Sequence, residues 1–254
     1  MSTVKDKEHH FNGGTCADTV VLVDHPGGGR DDRLSRRLSE RGFQIQWVCP
    51  GDGQALPEVT ERLAGAAVYG GPQSVNDGHL HSFLDVERAW IERWLKSEKP
   101  FFGICLGGQM LAQVLGATVG THEEGLHEIG YRKIEPVDGQ NGFLGQALNV
   151  YHWHNEGFDV PRTAELLARG VDFPNQAFRY GSKTYGIQFH PEVTPHIFKR
   201  WIGEAGHMLA NPGADPADRQ TADGEAYDRA LGDWLDSFLD HWIGYPEESE
   251  KEEV

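Results

Sequence analysis

A cysteine flanked by glycines, Gly103-Ile104-Cys105-Leu106-Gly107, stands where an apolar run from Pro100 gives way to a helix-like stretch beginning at Leu106. This predicts a sharp strand-to-helix corner that raises the thiol, with glycines leaving room around it. The unpaired N–H groups and positive dipole end of the first helical turn favour thiolate over thiol. Further along, Gly186-Ile187-Gln188-Phe189-His190-Pro191-Glu192 ends another apolar run in an imidazole and a carboxylate. On an extended segment, residues two apart project to one side, and Pro191 stiffens the spacing. A carboxylate on one ring nitrogen fixes the tautomer and steadies the imidazolium. The other nitrogen can then take a thiol proton and return it to a leaving amine. Cys105, His190 and Glu192 are therefore the expected nucleophile, base and orienting acid of an acyl-transfer site.

Such chemistry needs backbone N–H groups aimed at the developing oxyanion. Leu106, directly after the nucleophile, is the first expected donor. Gly71, in Gly70-Gly71-Pro72, is the second, because glycine lets backbone approach a substrate. Gln109 lies one helical turn beyond Cys105 on the same face, placed either to hold the polar end of a substrate or to bond the helix cap.

The elements that must carry these residues alternate. Thr19–Val23, Phe43–Val48, 65–69 and 100–104 read as buried strands. Helices are expected over Asp31–Arg41, Leu56–Leu63, Leu80–Lys96 and Leu106–Leu115. The alternation predicts an α/β domain with a mostly parallel central sheet and helices on both faces. Ligands of such sheets bind beyond the carboxyl ends of the strands, where Gly70-Gly71 and Cys105 both fall. Short strand candidates follow, including Tyr131–Val137, Ala147–Trp153, Glu165–Gly170, Gln176–Tyr180 and Thr184–Phe189, and read as a more antiparallel region. Residues 211–224 read as a Pro/Gly/Asp-rich loop. A final helix, Tyr227–Ile243, carries an apolar stripe suited to packing on the sheet. The expected organisation is a flexible leader (1–17), a single domain (18–244) and an acidic, disordered tail (245–254).

The 254 residues carry 23 Lys+Arg against 39 Asp+Glu, a formal charge of −16 that argues against electrostatic binding to nucleic acid or an anionic membrane surface. No apolar run approaches the length needed to span a bilayer. Three cysteines, Cys16, Cys49 and Cys105, are too few for a disulfide framework, so a cytoplasmic location is expected. Gly27-Gly28-Gly29 lacks the Lys-Ser/Thr of a phosphate-binding loop. His152-Trp153-His154 alternates like a strand but offers no third ligand, and the pairs His79/His81 and His122/His127 lack a supporting acidic cluster. Neither a metal nor an organic cofactor is expected.

Together, Gly70-Gly71-Pro72-Gln73-Ser74-Val75, Gly103–Gln109, Tyr151-His152-Trp153-His154 and Gly186–Glu192 resemble the class I, triad-type glutamine amidotransferases. The likeness is greatest to stand-alone proteins similar to the amidotransferase domain of GMP synthetase, and covers roughly residues 19–203. The resemblance implies a flavodoxin-like sheet, a γ-glutamyl thioester on Cys105, and substrate contacts from His154, Asn155 and Glu156. Related proteins often carry a small residue and an aspartate where this chain has Asn155-Glu156. The substrate expected is glutamine or another γ-glutamyl amide. With no synthetase segment in the sequence, either a separate subunit receives the ammonia or the enzyme acts alone. A γ-glutamyl peptidase or conjugate hydrolase on the same triad is the alternative, and a non-catalytic regulatory protein the remote one.

Overall fold

The computed structural model describes residues 17–137 and 142–246. The expected leader apart from Ala17, Cys16 within it, and the expected tail beyond Pro246 lie outside the described residues.

The chain runs β1 (Thr19–Val23), α1 (Arg33–Glu40), β2 (Gln44–Val48), β3 (Leu63–Val68), α2 (Phe83–Leu95), β4 (Phe101–Ile104), α3 (Leu106–Val114), β5 (Val119–Thr121), β6 (Glu128–Pro136), β7 (Leu148–His154), β8 (Glu156–Phe158), β9 (Glu165–Arg169), β10 (Ala177–Tyr180), β11 (Thr184–Ile187), α4 (Pro195–Ala205) and α5 (Ala217–Trp242). Nine strands form one sheet in the order β2-β1-β3-β4-β11-β10-β9-β6-β7. The first five run parallel, giving the flavodoxin-like core. The other strands continue it antiparallel.

Alternation along β1 sends its side chains into two cores. Val20 and Leu22 join Leu34 and Leu38 of α1 and Leu231, Leu235 and Leu239 of α5. Val21 and Val23 join Trp90 and Trp94 of α2 and Met110 and Leu111 of α3. The apolar stripe of α5 thus packs on the sheet, as its spacing indicates, with Trp242 fully buried. In a parallel sheet covered on both faces, the free rim is at the strands' carboxyl ends.

Two expected elements differ. The helix at Leu56–Leu63 is absent: Pro57 interrupts it, Leu63 already begins β3, and Trp90 Nε1 donates to the Pro57 carbonyl at 2.8 Å, tying the segment down as a loop. The loop expected over 211–224 is helical from Ala217. Gln220 there is fully buried between the Asp215 carbonyl and the Tyr151 hydroxyl. Gly224 lies so close to Phe198 that a Cβ would fall 2.9 Å from its ring. That glycine serves close helix approach, not a turn.

Candidate active site

The corner between β4 and α3 puts Cys105 at φ 50°, ψ −108°, a backbone conformation that costs a non-glycine residue free energy and must be held by its surroundings. Cys105 N–H donates to the Ile187 carbonyl at 2.8 Å, and Gly107 N–H to the Tyr69 carbonyl at 3.2 Å. Those bonds tie the corner to β11 on one side and β3 on the other. A Cβ on Gly107 would lie 2.0 Å from the Val68 carbonyl oxygen, so only glycine lets α3 start this near β3. As the first residue of α3, Leu106 has an N–H with no partner within the helix.

His190 and Glu192 meet: Nδ1 lies 2.7 Å from Oε1, both residues buried. Their local backbone is not the expected extended segment, because Pro191 and Glu192 form a turn after β11 has ended at Ile187. The turn is held from outside. Arg33 N–H donates to the Glu192 carbonyl at 2.8 Å, Arg33 Nη1 to the Pro191 carbonyl at 3.0 Å, and His190 N–H to the Tyr151 carbonyl at 2.8 Å. His190 Nε2 has no hydrogen-bond partner among the described residues. Burial alone would lower the imidazole pKa. The charge of Glu192, and that of a thiolate on Cys105, outweigh it and push the value up to about 10.

Cys105, His190 and Glu192 line one cavity of about 580 Å³ with Gly71, Gln109, His154, Asn155 and Glu156. It lies beyond the carboxyl ends of β1, β3, β4 and β11. Gln109 Nε2 donates to the Glu156 carbonyl at 2.9 Å and to Gln188 Oε1 at 3.2 Å, which joins α3 to β8. Glu156 Oε1 accepts from Ser74 Oγ at 2.9 Å, and Asn155 is exposed.

Several contributors were not singled out by the sequence. Gln188 Nε2 donates to the Cys105 sulfur at 3.6 Å; its place two residues before His190 was the available signal. Trp201 of α4 packs edge-on against the His190 ring, centroids 5.2 Å apart, and with Trp153 and Met208 lines the cavity wall. Trp201 on its own helix reads as an ordinary core residue.

His152 and His154 gain a buried third neighbour in Glu128, which the β6–β7 register sets opposite His154. The three ligating atoms lie within 4.8 Å of one another. They already bond internally: His154 Nε2 lies 3.1 Å from Glu128 Oε2 and from His152 Nδ1, and Gln176 donates to Glu128 at 2.9 Å. Burial lowers His152 to about 3, keeping it neutral. Burial would raise Glu128, but the two histidines and Gln176 prevail and bring it down to about 2. Among the described residues, no helix is long and apolar enough to cross a membrane.

The profile of the family described as Glutamine amidotransferase class-I matches residues 27–204. The chain is 30% identical over 210 residues to the glutamine amidotransferase-like protein YfeJ of Salmonella typhimurium, covering 79% of this chain and 87% of that one. It is 33% identical over 179 residues to one subunit of the glutamine-hydrolyzing GMP synthase of Pyrococcus furiosus, covering 68% of this chain and 89% of that one. The crystal structure of a glutamine amidotransferase from Thermotoga maritima superposes with a TM-score of 0.81 at 31% identity, covering 89% of this chain and 98% of the other.

Proposed function

From the premise that this chain belongs to the class-I glutamine amidotransferase family, we propose that it hydrolyses a γ-glutamyl amide through a thioester on Cys105. The observation that carries this reading is the meeting of Cys105, on its strained corner, with the buried His190–Glu192 pair in one cavity. The Cys105 thiolate attacks the side-chain carbonyl carbon of the substrate. The carbonyl oxygen, now an oxyanion, takes hydrogen bonds from the Leu106 and Gly71 N–H groups. As the C–N bond breaks, the His190 imidazolium gives its proton to the departing nitrogen, which leaves as ammonia when glutamine is the substrate. Neutral His190 then accepts a proton from water, whose hydroxyl adds to the thioester carbonyl and expels the thiolate. Glutamate is released and the thiolate–imidazolium pair restored. Glu192 stays ionised, holding the imidazole in orientation. The amino-acid end of the substrate is assigned to Gln109, His154, Asn155 and Glu156, a reading supported by their lining the same cavity.

The relative in Pyrococcus furiosus is named as one subunit of a synthase, which supports a separate acceptor subunit for the ammonia here. A second reading, a γ-glutamyl conjugate hydrolase, is favoured by cavity size. About 580 Å³ is the scale of a site for a drug-sized ligand, and Trp153, Trp201 and Met208 in its wall offer apolar surface to a larger amine.

The chemistry is tested by treating the protein with 6-diazo-5-oxo-L-norleucine, a glutamine-like electrophile, and mapping the adduct by mass spectrometry. One adduct on Cys105, slowed by excess glutamine or a γ-glutamyl peptide, is the expected result. Modification elsewhere, or none, would contradict it.

A further inference from the structure

The loop that carries Gly71 is gripped by two buried groups for which the reaction above has no use. His25 follows the end of β1 and Glu87 lies on α2; both side chains are 1% exposed, and His25 Nε2 is 3.1 Å from Glu87 Oε2. Burying such a pair is costly unless the charges meet, and here Glu87 Oε2 is on the ring while Glu87 Oε1 has no hydrogen-bond partner among the described residues. The other ring nitrogen is engaged as well: His25 Nδ1 lies 2.9 Å from the Gly70 carbonyl oxygen.

The partners constrain the protons. A carbonyl oxygen only accepts, so Nδ1 carries hydrogen. With Glu87 ionised, its carboxylate only accepts, so Nε2 carries hydrogen too, and a ring with both nitrogens protonated is an imidazolium. The charged groups facing His25 are Glu87 from α2 and Asp24 from its own segment, the latter also bonded to Arg30 at 2.9 Å. Burial disfavours the cation, but Glu87, the Gly70 carbonyl and Asp24 together raise the ring's pKa.

The Gly70–Gly71 peptide is planar and trans, so the Gly70 oxygen and the Gly71 N–H point in opposite directions. Fixing the oxygen on His25 turns the N–H away from His25. The other side of this loop is the reaction centre: a Cβ on Gly70 would fall 2.7 Å from His190 Cε1 and 3.4 Å from Cys105 Cβ. A Cβ on Gly71 would fall 2.8 Å from His25 Cγ, so the loop rests directly on the ring. β1 and β3 are neighbours in the sheet, and the chain's crossovers diverge between them, where α/β sheets open a binding crevice.

We infer that His25, held as an imidazolium by Glu87, is a positioning residue that orients the Gly70–Gly71 peptide so that the Gly71 N–H meets the oxyanion. This rests on the proposed γ-glutamyl amide hydrolysis and names the device that builds one half of its oxyanion hole.

The test compares His25→Asn and Glu87→Gln with the wild type on glutamine and γ-glutamyl-p-nitroanilide. It also follows alkylation of Cys105 by iodoacetamide, a displacement that develops no carbonyl oxyanion. The expected result is a fall in kcat of about 10²-fold for His25→Asn, the scale of losing one oxyanion donor, and a smaller fall for Glu87→Gln. KM and the alkylation rate should stay near wild type. Unchanged kcat, or alkylation slowing in step with kcat, would overturn the inference. Nitrogen NMR of the wild-type histidines separates this from failure of the reaction itself. Two protonated nitrogens on His25 at pH 8 support the inference even if neither substrate is turned over, whereas a neutral His25 ring overturns it.

Discussion

Arg33 donates through Nη1 to the carbonyl oxygen of Pro191 at 3.0 Å, joining the first residue of α1 to the middle of the His190–Glu192 turn. The same guanidinium pairs through Nη2 with Asp228 of α5, and the Arg33 side chain is buried. One residue therefore ties two helices to the backbone of the turn that carries the orienting carboxylate. Arg33→Ala should cost about 3 kcal/mol in urea unfolding, because it strands a partly buried carboxylate and an unmet carbonyl. It should also lower kcat more than it raises KM. Arg33→Lys should recover part of the stability, since a point charge cannot bond in two directions as the planar fork does.

Two glycines give opposite expectations. Gly107→Ala places a Cβ 2.0 Å from the Val68 carbonyl oxygen, a backbone atom with nowhere to move. It should destabilise by about 3 kcal/mol or more. Gly203 in α4 has open space around its Cβ position. Gly203→Ala should be neutral or stabilising by up to about 1 kcal/mol. Thermal unfolding of the two variants measures both.

Glu192→Gln keeps the shape of the side chain but removes the charge that holds the His190 imidazolium. A loss of about 10² to 10⁴ in kcat is expected, the upper end being that of the corresponding change in serine triads, with little change in KM. Steady-state kinetics on the substrate that wild type turns over provides the measurement.

What the sequence made legible was local. Cys105 and the His190–Glu192 pair lie in short segments whose glycines, proline and apolar runs already specify a corner and a spacing. The parallel strands carried enough β-branched and apolar residues to be seen singly. What stayed hidden depends on pairing across the chain. Glu128 joins His152 and His154 only through the β6–β7 register, and Arg33 reaches the catalytic turn only after α1 has packed. His25 and Glu87 find each other across β1 and α2. The helix expected at 56–63 does not form because Pro57 interrupts it. The loop expected over 211–224 is helical from Ala217, where Gly224 allows close packing on Phe198.

The Glu128–His152–His154 cluster makes a signed prediction about pH. His152 falls from 6.5 to about 3 and Glu128 from 4.5 to about 2 on folding. Both folded values lie below the unfolded ones, so the unfolded chain binds more protons across this range. The stability that the cluster contributes is thus fully present above about pH 6.5 and is lost progressively as pH falls toward 2. His190 moves oppositely, its contribution full below 6.5 and lost as pH rises through about 10. Urea midpoints from pH 7.5 to 4.5 should fall less steeply in His152→Phe than in wild type. Parallel curves would contradict this.

The central claim is that Cys105 takes the γ-glutamyl group. Its most direct test is glutamate release from glutamine and a set of γ-glutamyl amides and peptides, measured for wild type beside Cys105→Ala. Release by wild type from at least one of them, abolished by the substitution, is the predicted result. Release that survives in Cys105→Ala, or none by wild type from any member of the set, would contradict it.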